Sequence, residues 1–477
     1  MPRVRAADPA QHHHRRAQCL RSRQRRGRLV NGRARALPGG VRIGAIERRF
    51  DLLVNEHIGV VRRLGEIFTE PGTPNFFHYA AEASNTSAFS AQRNFFNTGG
   101  ASVHRSVAIA KAVGEAVERY CAALYEREEL PFCSAREAPF DCVEPAAFAL
   151  HSAAQYRLPG FPWAPLEADT ALRWTGATAF SSGRRVHVPA AFCWIPYFYD
   201  AAIGEAPIGQ PISTGLACHA DYHRAVLSGL CEVLERDAFT IFWQRGLAMP
   251  QIRIETLSDE NYDRVHRFEV TGDRVILLNL TLDHGVPVVL SILESSQPAR
   301  PAHVFAASCD PDPERAVAKA LEELAHTRRY SQRVHRLLAP VAGDNDYEQV
   351  RNQMDHLNLA GDHANGQSIK FALDSRQRQS FDEIESLARG GAAASVAQVV
   401  ARVEETGHEV LVADLTSDDI AQCGLTVVRV LVPGYHPLFM GHHWRALGGT
   451  RLWSVPEKLG LKALYSGADN PIPHPYP

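Results

Sequence analysis

Three stretches of the sequence repeat an acidic spacing that suits metal chemistry. The first, VAIAKAVGEAVERY, carries Ala108, Glu115, Glu118 and Arg119. The second, RAVLSGLCEVLERD, carries Ala225, Glu232, Glu235, Arg236 and Asp237. The third, RAVAKALEELAHTRR, carries Ala316, Glu323, His326 and Arg328. In each, Ala comes seven residues before the first Glu, and a liganding or accepting side chain comes three residues after it. Spacings of three and seven share one helix face. Glu115, Glu118, Glu232, Glu235 and Glu323 are hard oxygen ligands, which suit Mg²⁺, and Mg²⁺ in enzymes usually sits between carboxylates and nucleotide phosphates. An Arg beside each pair could hold a phosphate. A single ExxER run is ordinarily a solvated Glu–Arg pair on a surface helix; recurrence in one Ala register is what sets these apart. No GxxxxGK[ST] run occurs, which excludes a P-loop.

The elements that must position these residues are legible in outline. All three stretches are rich in strong helix formers with an amphipathic period. Gly99-Gly100-Ala101-Ser102 and Thr214-Gly215-Leu216-Ala217 precede two of them, small enough to bring backbone close to a ligand at a helix N-terminus. Residues 51–70 read as a short strand and then a helix. Residues 173–198 read as a hairpin turning at Ser181-Ser182-Gly183, with a strand ended by Pro189. DRVILLNLTLDHGVPVVLSIL is a second strand–turn–strand, turning at Asp283-His284-Gly285. Residues 407–432 give two more strands, and Gly390 to Thr406 a helix. Interleaved helices and hairpins predict a mixed α/β, α+β class with much antiparallel pairing. No linker divides the chain after residue 50.

The chain has 477 residues, 45% hydrophobic and 22% charged, which is globular composition. No apolar run approaches the ~18 residues of a membrane span. The formal net charge of −2 hides an asymmetry: residues 1–50 hold 14 Arg against Asp8 and Glu47, so the remainder carries a balance of −14. An acidic body argues against nucleic acid as its partner. The Arg-rich segment, residues 1–48, has no apolar stripe to bury and is predicted to be disordered. A basic arm for RNA or membrane, a functionless tail and a start codon placed too far upstream all fit it; a secretory signal does not, for want of an apolar core. Nine scattered cysteines without a CxxC pair point to a reduced, cytoplasmic protein.

The sequence closes on PIPHPYP, with Pro473, Pro475 and Pro477 at alternate positions. Each proline fixes φ near −65°, so the segment is a stiff extended rod with a carboxylate at its tip.

GEAVERY, TGLACHADYHRAVLSGLCEVLERDAF and the proline-patterned end together resemble the YcaO superfamily, over roughly residues 50 to 477. The resemblance implies an unusual ATP-binding fold in which acidic helices hold Mg²⁺ ions that bridge the phosphates. Members phosphorylate a peptide amide oxygen; a neighbouring Cys, Ser or Thr then attacks, and loss of phosphate leaves a thiazoline or oxazoline. Other members install thioamides or amidines. Carried over by position, Glu115, Glu118, Glu232, Glu235 and Glu323 are the implied metal ligands. Lys111, Arg119, Ser213, Arg236, His326 and Arg328 are the implied nucleotide contacts. The chain departs from the family where Lys111 replaces a common Ser, Gly100-Ala101-Ser102 a common GKG, and His326 a common Gln.

The same resemblance gives the proline rod a role. Pro473, Pro475 and Pro477 would deliver the Pro477 carboxylate to the reacting amide, where it could orient substrate or take a proton. The expectation is therefore an ATP- and Mg²⁺-dependent cyclodehydratase domain over residues 49–477, acting on a ribosomally made precursor peptide. A separate ThiF-like or winged-helix protein would bring that peptide, and a homodimer is an open option. The alternatives are a thioamide- or amidine-forming enzyme and a non-catalytic scaffold that binds nucleotide or peptide.

Overall fold

Apolar residues recur every three or four positions along the first acidic stretch, and the structure, a computed structural model, buries that stripe. Helix α1 (Arg105–Cys121) turns Ala108, Ala112, Val113, Ala116, Val117 and Tyr120 inward. The structure describes residues 50–341, 347–366, 369–465 and 467–477; the Arg-rich segment read from the sequence, residues 1–48, lies outside the described residues. All described residues belong to one compact unit.

The second acidic stretch forms α2 (Tyr222–Arg245). The Asp221 side chain caps it, accepting from the Arg224 N–H at 2.9 Å, and Gly246 ends it in the left-handed conformation. Helix α3 (Asp259–Glu269) follows. The third stretch forms α4 (Pro313–Leu337), capped by Asp312 with Pro at its first position. Helices α5 (Gln353–Gly361), α6 (Ala392–Glu404) and α7 (Arg451–Lys458) complete the larger helices. Ala108, Ala225 and Ala316, the repeated alanines, are all fully buried. Their common register is thus a packing register, in which a small residue lets each helix sit close to its support while the Glu face two turns later stays clear.

Among the described residues three sheets carry these helices. Strands β1 (Val61–Glu66), β2 (Phe77–Ala83) and β3 (Asn97–Ser102) form an antiparallel sheet. Helix α1 lies on it, with the Thr98 hydroxyl donating to the Ala112 carbonyl at 2.8 Å. The second sheet runs β4 (Phe132–Cys133), β5 (Leu172–Ala179), β13 (Leu411–Asp414), β14 (Thr426–Leu431) and β7 (Leu216–His219), with β6 (Arg185–Pro189) paired to β5. The third runs β11 (His303–Cys309), β10 (Val288–Glu294), β9 (Arg274–Asn279), β8 (Gln251–Ile252) and β12 (Arg378–Gln379); its β8–β12 pair is parallel and its other pairs antiparallel. The predicted α+β class and antiparallel pairing hold. Leu230, Leu234, Phe239 and Trp243 of α2 share one core with Leu278, Leu290 and Phe305 of the third sheet and Val412, Val428 and Val430 of the second.

The two expected hairpins form at their expected turns, with Gly183 and Gly285 at positive φ, and the two strands expected within residues 407–432 form and pair antiparallel. Residues 51–70 differ: a helical turn, Phe50–Leu53, comes first and β1 second. Backbone pairing of Val61 to Glu66 against Ala83 to Tyr79 of β2 outweighs the helix propensity of that run.

Candidate nucleotide and metal site

Three of the glutamates, Glu115, Glu118 and Glu232, are held by backbone N–H groups. The Gly99 N–H of β3 donates to Glu115 Oε2 at 3.2 Å, and the Cys218 N–H of β7 donates to Glu118 Oε1 at 2.8 Å. The Gly215 N–H donates to Glu232 Oε2 at 3.1 Å. Ser213 stands just before, its carbonyl accepting from the Leu216 N–H. A side chain on Gly100 would meet the Ala108 carbonyl at 2.5 Å, so only glycine lets β3 approach α1 this closely.

The arginines are spent on their own pairs. Arg119 lies 3.3 Å from Glu115, and Arg236 lies 3.5 Å from Glu232 and 3.3 Å from Glu235. Burial pushes the Glu118 carboxyl up to about 8, with the Glu115 and Glu232 charges adding to it against Arg119 and the Cys218 N–H. Burial likewise pushes Glu235 up to about 7, with Glu232 and Glu323 adding and Arg236 and the Tyr476 hydroxyl opposing. Carboxylates of α1, α2 and α4 thus sense one another across the site, and a bound cation would displace those protons.

The third helix is arranged differently from its sequence reading. Lys111 reaches across to α4 and binds Glu322 Oε2 at 2.9 Å and Glu323 Oε1 at 3.2 Å. The Ser102 hydroxyl donates to Glu322 Oε1 at 2.7 Å. Burial raises the Glu323 carboxyl, but Lys111, His326 and Arg236 outweigh it and leave the group below its ordinary value. His326 packs on Gly99, where an added side chain would meet its ring at 2.5 Å. Arg328, expected at the nucleotide, does not join the cluster. Its Nε and Nη2 both lie 3.2 Å from Asp273, which also holds Arg300 at 2.8 Å. Five residues past Glu323 is about 140° around the helix, and that angle turns Arg328 into the core.

The proline rod docks in the molecule. Pro473 to Tyr476 are buried. Trp243 Nε1 donates to the Ile472 carbonyl at 2.8 Å, and the His474 ring stacks on His356 at 3.9 Å. Tyr476 donates its hydroxyl to Glu235 Oε1 at 2.6 Å and accepts on it the Ala307 N–H at 3.2 Å. Arg236 lies over the Tyr476 ring, 4.6 Å from its centre, and donates to the Pro477 carbonyl at 3.3 Å. Three of the side chains in these contacts were not singled out from the sequence: Glu322, Tyr476 and Asp273. For Glu322 and Tyr476 a signal existed, a second Glu beside Glu323 and a lone phenol between two prolines.

Among the described residues no three His, Cys, Asp or Glu side chains converge tightly enough to cage a metal unaided. Mg²⁺ does not require such a cage, since it keeps waters and takes one or two carboxylates plus phosphate oxygens. Two carboxylate pairs, each with one member of raised proton affinity, Glu118 and Glu235, fit that ion.

The fold is that of solved heterocyclases. Over 91% of this chain it follows a heterocyclase in complex with substrate and cofactor, at TM-score 0.70, 22% identity and 57% of that chain's length. Over 82% it follows YcaO from Methanopyrus kandleri bound with AMPPCP and Mg²⁺, at TM-score 0.57, 22% identity and 89% of that chain. An uncharacterized protein of Methanothermobacter thermautotrophicus is 27% identical over 361 residues, 72% of this chain and 85% of that one. The structures, below 25% identity, speak for the fold alone. The family itself is given by its sequence model, YcaO cyclodehydratase, ATP- and Mg²⁺-binding, which matches residues 99–436. The chain belongs to the YcaO family.

Proposed function

We propose that the chain is an ATP-dependent cyclodehydratase acting on backbone amides of a precursor peptide, closing Cys, Ser or Thr side chains into azolines. The observation that carries this reading is the two carboxylate couples, Glu115/Glu118 and Glu232/Glu235, in which Glu115, Glu118 and Glu232 are held by backbone N–H groups and Glu118 and Glu235 have raised proton affinities. Bound ATP with Mg²⁺ would supply the phosphoryl group that activates the amide oxygen. Those four glutamates and Glu323 would hold the metal. Arg119 and Arg236, released from their carboxylates as the metal takes them, would turn to phosphate oxygens. Lys111 neutralises Glu322 and Glu323 and so sets the charge at the edge of the site. Tyr476 fixes Glu235, and the docked segment, held by Pro473 and Pro475, brings Pro477 to Arg236, where Pro477 would face the reacting amide. Free thiols at Cys121, Cys193, Cys218, Cys231 and Cys309 support a reducing, cytoplasmic setting. A separate peptide-delivering protein completes the reading.

Calorimetry with a non-hydrolysable ATP analogue and Mg²⁺ tests the site. Glu115→Ala, Glu118→Ala, Glu232→Ala and Glu235→Ala should each weaken binding strongly, because each removes a hard ligand. Unchanged affinity in all four would refute the assignment. Mass spectrometry of a reacted precursor peptide tests the chemistry: loss of one water per ring supports cyclodehydration, whereas exchange of oxygen for sulfur or nitrogen would replace it with the thioamide- or amidine-forming reaction.

A further inference from the structure

Behind the turn that holds Glu232 lies a cavity of about 120 Å³. Phe148, Trp163, Phe192, Phe439 and Trp444 wall it, and Arg429 of β14 lines it. Thr214 lines it too, while the next residue, Gly215, binds Glu232 through its N–H. The cavity and the acidic cluster therefore share one turn of backbone.

Arg429 is 3% exposed. Its Nη2 donates to the Ile212 carbonyl at 2.6 Å, but its Nε and Nη1 are buried without a partner. A second buried donor on the cavity wall, Trp163 Nε1, is also unpartnered. Burial draws the Arg429 pKa down to about 10, with Cys193 and Glu232 raising it and the Arg119 charge lowering it, so the guanidinium stays charged at neutral pH. A buried cation bonded to a single carbonyl, with two donors open, is costly until acceptor oxygens complete it. The surrounding walls are apolar and aromatic, and at about 120 Å³ the cavity is somewhat smaller than the roughly 150 Å³ that encloses a benzene ring, so it takes the apolar group and leaves the rest of a ligand at its mouth. The ligand that meets both demands carries a carboxylate, a nearby amide carbonyl and one ring-sized or branched apolar group. The last residue of a peptide has these three parts.

We propose that this cavity binds the carboxyl end of a peptide whose last side chain is aromatic or branched aliphatic, with the open Arg429 donors taking its carboxylate and carbonyl oxygens. The inference rests on the peptide-modifying reading above and adds a subsite to it. An N-acylated amino acid offers the same chemistry, and the test separates the two sources.

The probes are N-acetylphenylalanine, its primary amide, N-acetylglycine, and acetyl-Ala-Ala-Ala-Phe as free acid and as amide, titrated calorimetrically into the full chain. The free acids ending in Phe should bind. Their amides and N-acetylglycine should bind at least about tenfold more weakly, since each lacks the charge or the apolar group. Tighter binding of the tetrapeptide than of the single residue assigns the site to a peptide end; the reverse order overturns that part. Arg429→Gln should lose at least about tenfold and Arg429→Lys less. Gly209→Leu supplies an independent variant: its Cβ would meet only Phe192 at 3.6 Å and Leu150 at 3.9 Å, so the backbone accepts it, and the added side chain should occlude the cavity and abolish probe binding.

Binding of Mg²⁺ with the ATP analogue, measured on the same samples, separates failures. Equal binding of acid and amide, or indifference to Arg429→Gln and Gly209→Leu, overturns the proposal while leaving the nucleotide site standing. Loss of nucleotide in Arg429→Gln with no probe bound by the parent chain would make Arg429 a phosphate contact and also overturn it. Probe binding that persists when the Glu→Ala variants bind nucleotide unchanged would sink only the functional reading.

Discussion

The Tyr476 hydroxyl donates to Glu235 Oε1 at 2.6 Å, joining the proline-patterned segment to the acidic face of α2. Burial raises the Glu235 proton affinity, and this bond is one of the two forces that oppose it. Tyr476→Phe should therefore leave Glu235 more protonated near neutrality and weaken Mg²⁺-dependent nucleotide binding by about tenfold, the scale of a hydrogen bond to a charged group. Calorimetry on the full chain measures it. An affinity equal to the parent's would mean that the phenol only packs against Phe239, whose ring centre lies 4.3 Å away.

Lys111 bridges two carboxylates that would otherwise face each other. Glu322 is nearly buried, with 8% of its side chain exposed, whereas Lys111 keeps 25%. Lys111→Met should destabilise the fold by about 2 kcal/mol, below the figure for a fully buried pair because Lys111 still reaches water. Adding Glu322→Gln should restore part of the loss, since it removes the stranded charge. A thermal midpoint unmoved by Lys111→Met would show that the Ser102 hydroxyl and Arg264 of α3, whose Nε lies 4.0 Å from Glu322, suffice for that carboxylate.

Local periodicity carried most of the fold. Helices α1, α2, α4 and α6 and the hairpins around Gly183 and Gly285 follow from apolar spacing and turn residues. Strand β1 does not, because its identity depends on pairing with a distant partner. In the site, spacing placed Glu115, Glu118, Glu232 and Glu235 on faces that do meet. It could not say where the neighbouring cations go. Lys111 and Arg328 look alike in sequence, yet one is drawn to Glu322 and Glu323 and the other to Asp273 on the far side of α4. Arg429, a charge inside the apolar run TVVRVLV, was legible as unusual, but its open donors depend on which carbonyls the fold presents.

Gly215 is required by its surroundings as well as by its φ of +86°. A side chain there would run into the Val430 carbonyl, which is backbone and cannot move aside. Gly215→Ala should cost several kcal/mol, on the order of 3, and should disturb Glu232, whose carboxylate rests on the Gly215 N–H. Gly176 on β5 is the control: nothing lies within 4 Å of an added side chain, so Gly176→Ala should leave the thermal midpoint nearly unchanged. Equal midpoints for the two variants would contradict the close approach of β14 to the turn.

The docking of the proline segment should depend on pH through two stacked imidazoles. His474 Nε2 donates to the Phe439 carbonyl at 2.8 Å, and its Nδ1 accepts the Tyr476 N–H at 3.2 Å, which fixes a neutral ring. His356 Nδ1 donates to the His474 carbonyl at 2.6 Å. Burial lowers His356 to about 4, against the His474 carbonyl. Burial also lowers His474 well below its usual value, with the charges of His356, His442 and Arg236 adding to it and the Phe439 carbonyl opposing. Protonating His474 would forfeit the Tyr476 N–H bond and place a charge on the stack. Because both folded values lie below the unfolded value near 6.5, the unfolded state binds more protons, and stability is full above about pH 6.5 and falls as pH drops towards 4. Each imidazole should contribute up to about 1.4 kcal/mol per pH unit in that window. His78, His284 and His436, also lowered to about 4 by burial, add to the same trend, so the diagnostic quantity is a difference. The double variant His356→Gln, His474→Gln can keep donors and acceptors in place without titrating. Its thermal midpoint should fall less than the parent's between pH 7 and pH 4.5, and parallel profiles would show that these two rings do not govern the acid response.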